Sequence, residues 1–313
     1  MMSSLSQNAL LGYVSAVAAP GVGNGGAIWV GADEPMNASV VHTDLTLNFA
    51  DSGGGVYATG AVMLTVSTST LSHDHAHGTS SQGGGLMTDM TSVAAISDTT
   101  FFSCEAVRGG AGWHGGASQT NYTNCQFQEN EALVGDITRG SALYSEASAV
   151  VTVSQSNFLN NVGHGLCEGT VAMAKSTTNI LSIADSTFDG NTAKFGGCIM
   201  TAASTQSTQL SLSGVTFTNN FAYAGGVLYS ESDEWADLQC STCDAQDSNN
   251  ASDWGQIMAT PAKTIGITLP SFVRSGAPMP NSVTLIDGCA ALRSAPSPAQ
   301  LTRAHSPPGS TSC

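Results

Sequence analysis

Charge is scarce in this sequence. Only 10% of its 313 residues are Asp, Glu, Lys or Arg, and 8 basic residues face 23 acidic ones, a formal net charge of −15 at pH 7. A chain so poor in cations repels phosphate backbones and anionic lipid headgroups, which excludes nucleic acid as a partner. No uninterrupted apolar run reaches the roughly 18 residues of a spanning helix, so membrane association is expected only through regions absent from this chain. Helical periodicity is weak throughout. Abundant instead are Gly, 35 in number, with Ser, Thr and Asn, residues that favour strands and turns. The 41% hydrophobic content supplies enough apolar surface to fold.

One pattern recurs with a period of about 26 to 31 residues. Its clearest copies are Phe-x-x-Asn: Phe127 to Asn130, Phe158 to Asn161, Phe188 to Asn191 and Phe217 to Asn220. Aligned on these, weaker copies stand at Leu45 to Asn48, Leu71 to Asp74 and Phe101 to Cys104. Five residues before each Leu or Phe lies an apolar residue or Tyr (Val40, Val66, Ile96, Tyr122, Val153, Ile183, Leu212), and five after it lies Ala or Gly (Ala50, Ala76, Ala106, Ala132, Gly163, Ala193, Ala222). A glycine pair followed three residues later by a large side chain completes several copies: Gly25-Gly26 with Trp29, Gly53-Gly54 with Tyr57, Gly109-Gly110 with Trp113, Gly196-Gly197 with Met200 and Gly225-Gly226 with Tyr229.

A coil of short strands accounts for these residue types. If each repeat is one turn, equivalent side chains stack about 4.8 Å apart along the axis, so inward columns must be apolar and matched in size. Asn at a recurrent bend can bond both the local backbone and the Asn one turn away. Alternation such as Val151-Thr152-Val153 and Leu210-Ser211-Leu212 has the period of two that strands require. A β-propeller blade needs about 40 residues or more, longer than this repeat. The fold expected is all-β: a right-handed parallel β-helix solenoid of about seven to eight turns, its hand following the general crossover preference, then a small partial β module and a disordered tail.

Phe-x-x-Asn alternating in phase with Gly25-Gly26-Ala27-Ile28, Gly196-Gly197-Cys198-Ile199 and Gly225-Gly226-Val227-Leu228 resembles the polymorphic outer membrane protein repeats. These occur in chlamydial adhesins and in very large surface proteins of algae and other protists, on a pectin-lyase-like parallel β-helix. The resemblance covers about two-thirds of the chain. It implies a non-enzymatic extracellular or cell-surface protein serving adhesion or scaffolding, a fragment of a larger and membrane-anchored parent, with a glycan or protein ligand on another cell or matrix as partner. Residues 251 to 288 are similar to the segment that follows such repeats, and alternating Ile265, Ile267, Leu269, Val283 and Leu285 suggest the first strands of an immunoglobulin-like module.

The domains read accordingly as 1–20, a leader or incomplete first turn; 21–235, the repeats; 236–258, a Cys-containing linker; 259–288, the partial immunoglobulin-like segment; and 289–313, a Pro/Ser-rich tail. Ala9 to Ala19 is apolar enough for a signal-peptide core with Ala16-Val17-Ala18 as cleavage site, but no Lys or Arg precedes it.

Parallel β-helices also house polysaccharide lyases and glycoside hydrolases, the alternative function. Gly163-His164-Gly165 looks like the Gly-His-Gly of polygalacturonases, yet no Asp-Asp pair exists anywhere and no Arg-x-Lys pattern lies near, whereas such chemistry needs paired carboxylates. No catalytic residue and no cofactor is therefore assigned. His73, His75 and His77 alternate and would share one face of a strand, a weak candidate for zinc or copper set against a solvated bend. Of the eight Cys, Cys240-Ser-Thr-Cys243 suggests a local disulfide or links to Cys289, and Cys167 and Cys198 fall at nearly equivalent positions as stacked thiols or a bridge. Glycosylation sequons stand at Asn37, Asn121 and Asn250. The repeat residues themselves (Gly25, Gly26, Phe127, Asn130, Phe158, Asn161, Phe188, Asn191, Gly196, Gly197, Phe217, Asn220, Gly225 and Gly226) are expected to act structurally or in adhesion.

Overall fold

The computed structural model describes residues 14–15, 24–134, 139–164, 169–173, 178–201, 209–231, 239–245, 248–259, 262–267 and 283–287. Among them every regular element is a strand. The chain divides into two compact units, Met1–Pro261 and Ala262–Cys313.

The first unit is a parallel β-solenoid of about seven turns. Each turn passes four faces. Face I holds Val93–Ser97, Gln119–Thr123, Val150–Ser154, Ile180–Ala184, Gln209–Ser213 and Gln239–Ser241. Face II runs from Asp44–Thr46 through Gln126–Gln128 to Asp244–Ala245, and face III from Phe49–Ala50 through Glu131–Ala132 to Val162–Gly163. Face IV runs from Leu86–Asp89 through Leu143–Ser145 to Met258–Ala259. In the first two turns faces IV and I are not yet separate. There Ile28–Val41 and Val56–Ser67 are single long strands, and the latter pairs with both Leu86–Asp89 and Val93–Ser97.

The repeat columns appear as hydrogen-bonded registers. Leu45, Leu71, Phe101, Phe127, Phe158, Phe188 and Phe217 stack one on the next. Consecutive Phe rings from Phe101 to Phe217 lie 5.2, 4.6, 4.3 and 5.4 Å apart between centroids. All are buried; full burial of one such side chain is worth about 1.5–3 kcal/mol and a favourable aromatic pair about 0.5–1.5 kcal/mol more. Val40, Val66, Ile96, Tyr122, Val153, Ile183 and Leu212 form the facing inward column.

In the seven copies up to Ala222, spacing between columns is constant in one half of the turn and variable in the other; in the turn after them the steps are five and six, Cys240 to Ala245 to Ala251. From Val40 to Leu45 to Ala50, and in every later copy to Leu212, Phe217 and Ala222, the steps are five and five residues. Both of these corners use a left-handed residue: His42, Thr68, Asp98, Asn124, Gln155 and Asp185 at the first, Leu47, His73, Ser103, Glu129, Asn160 and Asn219 at the second. From the Ala column onward the count changes: Ala50 to Tyr57 takes seven residues and Ala132 to Tyr144 takes twelve.

Next to the second corner runs an asparagine ladder. Asn130, Asn161, Asn191 and Asn220 each donate from Nδ2 to Oδ1 of the following rung at 2.8–3.0 Å, the last onto Asn249. Each also donates to a carbonyl of the preceding turn, as Asn161 does to Phe127 at 2.9 Å and Asn191 to Phe158 at 2.9 Å. At the first corner a hydroxyl ladder does similar work: Cys125 N–H donates to Ser156 Oγ and Ser156 N–H to Ser186 Oγ, at 3.0 and 3.1 Å.

The glycine pair permits close approach between turns. A Cβ on Gly54 would run into the carbonyl oxygens of Gly84 and His75, and Gly53 has φ +64°, the region closed to most side chains. The stacking runs past 235, into the segment read as a linker. Cys240 is in register with Leu212, Ala245 with Phe217 and Ala251 with Ala222. Ala245 replaces Phe there, which hides the motif, while Asn249 preserves the ladder. In the second unit Ala262–Ile267 pairs antiparallel with Val283–Asp287, Ile265 opposite Leu285. Val14–Ser15 pairs antiparallel with Trp29 and Val30; the rest of 1–20, and 289–313, lie outside the described residues.

Candidate functional site

Faces I and III carry opposite chemistry. On face I every second residue points outward, and register converts those residues into rows. One row is Ser39, Thr65, Ala95, Asn121, Thr152 and Ser182; another is Asn37, Met63, Val93, Gln119, Val150 and Ile180. No strand from Val93–Ser97 to Gln209–Ser213 contains a charged residue. At the first three turns a shallow groove lies between the rows, lined by Asn37, Ser39, Met63, Thr65, Val93 and Ala95. Met63 is 51% exposed and Val93 38%. The face is thus a corrugated strip of hydroxyls, amides and methyl groups repeating about every 4.8 Å.

Face III collects imidazoles and carboxylates. Phe49, His75, Glu105, Glu131 and Val162 are in register. His75 Nδ1 lies 2.9 Å from Glu105 Oε2, and His164 Nε2 lies 3.1 Å from Glu131 Oε2. Two carboxylates on adjacent rungs are thereby each held by an imidazole from a neighbouring turn. Sequence reasoning sought carboxylates close together along the chain and missed this pair, whose members are 26 residues apart. The readable signal was position: His75, Glu105 and Glu131 each directly follow a member of the Asn column.

The three alternating histidines diverge. His73 sits in the left-handed corner and meets the Phe102 ring edge-on at 5.3 Å, while the rings of His75, His77 and Phe49 lie near-parallel in a cluster, 4.9 to 5.9 Å apart between centroids. Among the described residues no group of three or more His, Cys, Asp or Glu is placed to hold a metal ion. The corner explains this, because a left-handed residue breaks the strand alternation that would have aligned all three rings. His164 is half-exposed on Glu131; Gly165 lies outside the described residues.

The sequons differ in setting. Asn37 and Asn121 are exposed on face I, and Asn250 is exposed on Asn250–Trp254. Cys243 is disulfide-bonded, and the side chain of Cys240 lies outside what is described. Cys198 is a free, buried thiol. Cys167 lies outside the described residues; Val171 pairs with Ile199, which puts Thr170 at the rung of Cys198. The repeat residues named from the sequence are ladder and packing elements of the coil: the four Phe and four Asn side chains are buried, as are Gly25, Gly26, Gly196, Gly197, Gly225 and Gly226.

One polar cluster was not anticipated. His114, fully buried, has Nδ1 2.7 Å from Thr88 Oγ1 and Nε2 3.0 Å from the Tyr122 hydroxyl. Burial pushes its pKa down to about 3, so the ring is neutral, one nitrogen donating and the other accepting. It is a satisfied core group without access for a ligand.

No protein-family model, no curated protein and no solved structure matches this chain.

Proposed function

We propose that the chain is a non-enzymatic extracellular repeat protein of the cell-surface type, an adhesive scaffold whose face I binds a neutral polysaccharide. The observation that carries this reading is the charge-free outward surface of face I from Val93–Ser97 to Gln209–Ser213, on a chain with a net charge of −15. A partner settling there strips water from hydroxyls and methyl groups rather than from ions, and unpaired buried ions are far costlier than hydroxyls. Sugar rings offer the matching pattern, apolar C–H faces with hydroxyl edges, and the groove beside Met63 and Thr65 presents both kinds of group. The likeness to polymorphic outer membrane protein repeats supports the same assignment to adhesion. Glycans attached at Asn37 or Asn121 would occupy this surface, so the reading expects those two sequons to be unmodified.

The test is binding of the purified, oxidised chain to neutral and anionic polysaccharides, with Thr65→Lys and Thr152→Lys as variants. Saturable binding to neutral polymers, weakened at least tenfold by either lysine, is the expected result. Binding that ignores both variants sinks the assignment to face I.

A second reading, a polysaccharide lyase or glycoside hydrolase, draws on the Glu105 and Glu131 pair, since two carboxylates flanking a glycosidic bond are what hydrolysis requires. Release of reducing ends that is lost in Glu105→Gln would favour it over the scaffold.

A further inference from the structure

The asparagine ladder has eight rungs, and two of them are not asparagine: Asp74 and Cys104 follow Asn48 and precede Asn130. Cys104 imitates the missing residue. Its thiol donates to the Leu71 carbonyl at 3.4 Å, and its own N–H reaches Asn130 Oδ1 at 3.0 Å. Asp74 imitates only half. Oδ1 accepts from the Asn48 N–H at 3.0 Å and from Asn48 Nδ2 at 2.7 Å, as an asparagine oxygen does one rung on. Oδ2 occupies the place of the amide nitrogen, is buried, and has no hydrogen-bond partner. A Cβ on Gly55 would lie 2.7 Å from it, so the oxygen is pressed against backbone.

In each rung from Asn130 to Asn249 this position is a donor aimed at the preceding turn: Asn130 to Phe101, Asn161 to Phe127, Asn191 to Phe158, Asn220 to Phe188 and Asn249 to Phe217. For Asp74 the same register points to Leu45, which stands one turn before Leu71. A carboxylate cannot donate; a carboxylic acid can. We propose that Asp74 is carried in the folded coil as a neutral acid whose Oδ2–H donates to the Leu45 carbonyl, so that a proton latches the first turns of the solenoid together.

The surroundings bring no positive charge to Oδ2. Its chain neighbours turn away, His73 onto the Phe102 ring and His75 onto Glu105. The following turn faces it with the Cys104 thiol, and Glu105 on that turn is engaged by His75. Asn48 and Leu45 of the preceding turn are uncharged, and Gly55 stands opposite. Burial accordingly pushes the Asp74 pKa up from 3.8 to about 7, against the two bonds from Asn48 that lower it. A folded value above the unfolded one means that the folded state binds more protons between the two. Stability is therefore full below about pH 4 for this group, weakens by up to tenfold in the folding equilibrium per pH unit, and levels off above about pH 7.

The inference is independent of any ligand on face I. Its test is a side-chain carboxyl NMR titration of the full chain from pH 4 to 9, with urea unfolding of the wild type and Asp74→Asn over the same range. The Asp74 resonance, assigned by its absence from the variant, is expected to titrate near neutrality. Asp74→Asn supplies the residue most other rungs already use, and is expected to abolish the loss of stability between pH 5 and 7.5 and to exceed the wild type at pH 8. A carboxyl titrating near 4, or a variant with the wild-type pH dependence, would overturn the proposal.

Discussion

The first three turns and those from Phe127 onward occupy one register with different chemistry. The early turns stack Leu45 and Leu71 beneath Phe101 and interrupt the ladder with Asp74 and Cys104. They also run two faces together as single strands, Ile28–Val41 and Val56–Ser67. The later turns repeat identical residues: four Phe in one column, and Asn on every rung from Asn130 to Asn249. A coil does not need identical side chains to hold its register; it needs apolar residues in the inner columns and a hydrogen-bonding partner at each rung. Identity is one solution, and the early turns show another, with the strand pairing extended where the columns are less uniform.

The largest effect should separate the two regions by packing. Phe158→Ala removes a ring stacked on both sides and is expected to cost about 4 kcal/mol, against about 3 kcal/mol for Leu71→Ala, by urea unfolding with unchanged m-value. Equal costs would show that ring stacking adds nothing to volume.

The ladder gives the next contrast. Asn191→Ala takes the acceptor from the Asn161 N–H, one of the two acceptors from Asn161 Nδ2, and the side-chain donor from the Phe158 carbonyl; a buried group left unpaired costs about 1–3 kcal/mol before relaxation. The expected loss is about 3 kcal/mol, but only about 1 kcal/mol for Cys104→Ala, whose thiol bonds are weak. A larger loss at Cys104 would mean that the early turns depend on their irregular rung more than the later turns do on theirs. Smallest of all, Glu131→Gln touches a half-exposed pair with His164, and the unfolding free energy from urea titration should change by no more than about a few tenths of a kcal/mol.

The same contrast marks what was legible in advance. Phe127, Phe158, Phe188 and Phe217 announce the register because inward columns tolerate little variation in volume, and the weaker copies at Leu45 and Leu71 follow from them. The aromatic column on face IV was only partly readable: Tyr144 follows Gly140-Ser141 rather than a glycine pair, and Met87 follows a glycine triplet. The turn beyond 235 escaped notice because Ala245 and Cys240 stand where Phe and Val or Ile were sought. Candidate surfaces were harder. Outward residues answer to solvent, so Glu105, Glu131 and the charge-free rows of face I acquire meaning only when residues 26 to 31 apart are set side by side. His114 was hidden for the opposite reason, as a polar residue satisfied inside the core.

The five-and-five spacing across two corners in the seven copies up to Ala222, beside variable spacing across the other two, divides each of those turns into a metronome and a margin. Whatever is inserted between the Ala column and the next Val or Ile leaves the beat of the stacked columns undisturbed, since counting restarts at each Leu or Phe. Foreign peptides grafted into the margin of successive turns would emerge along one edge at a fixed pitch, which makes the coil a natural comb for displaying short sequences in register.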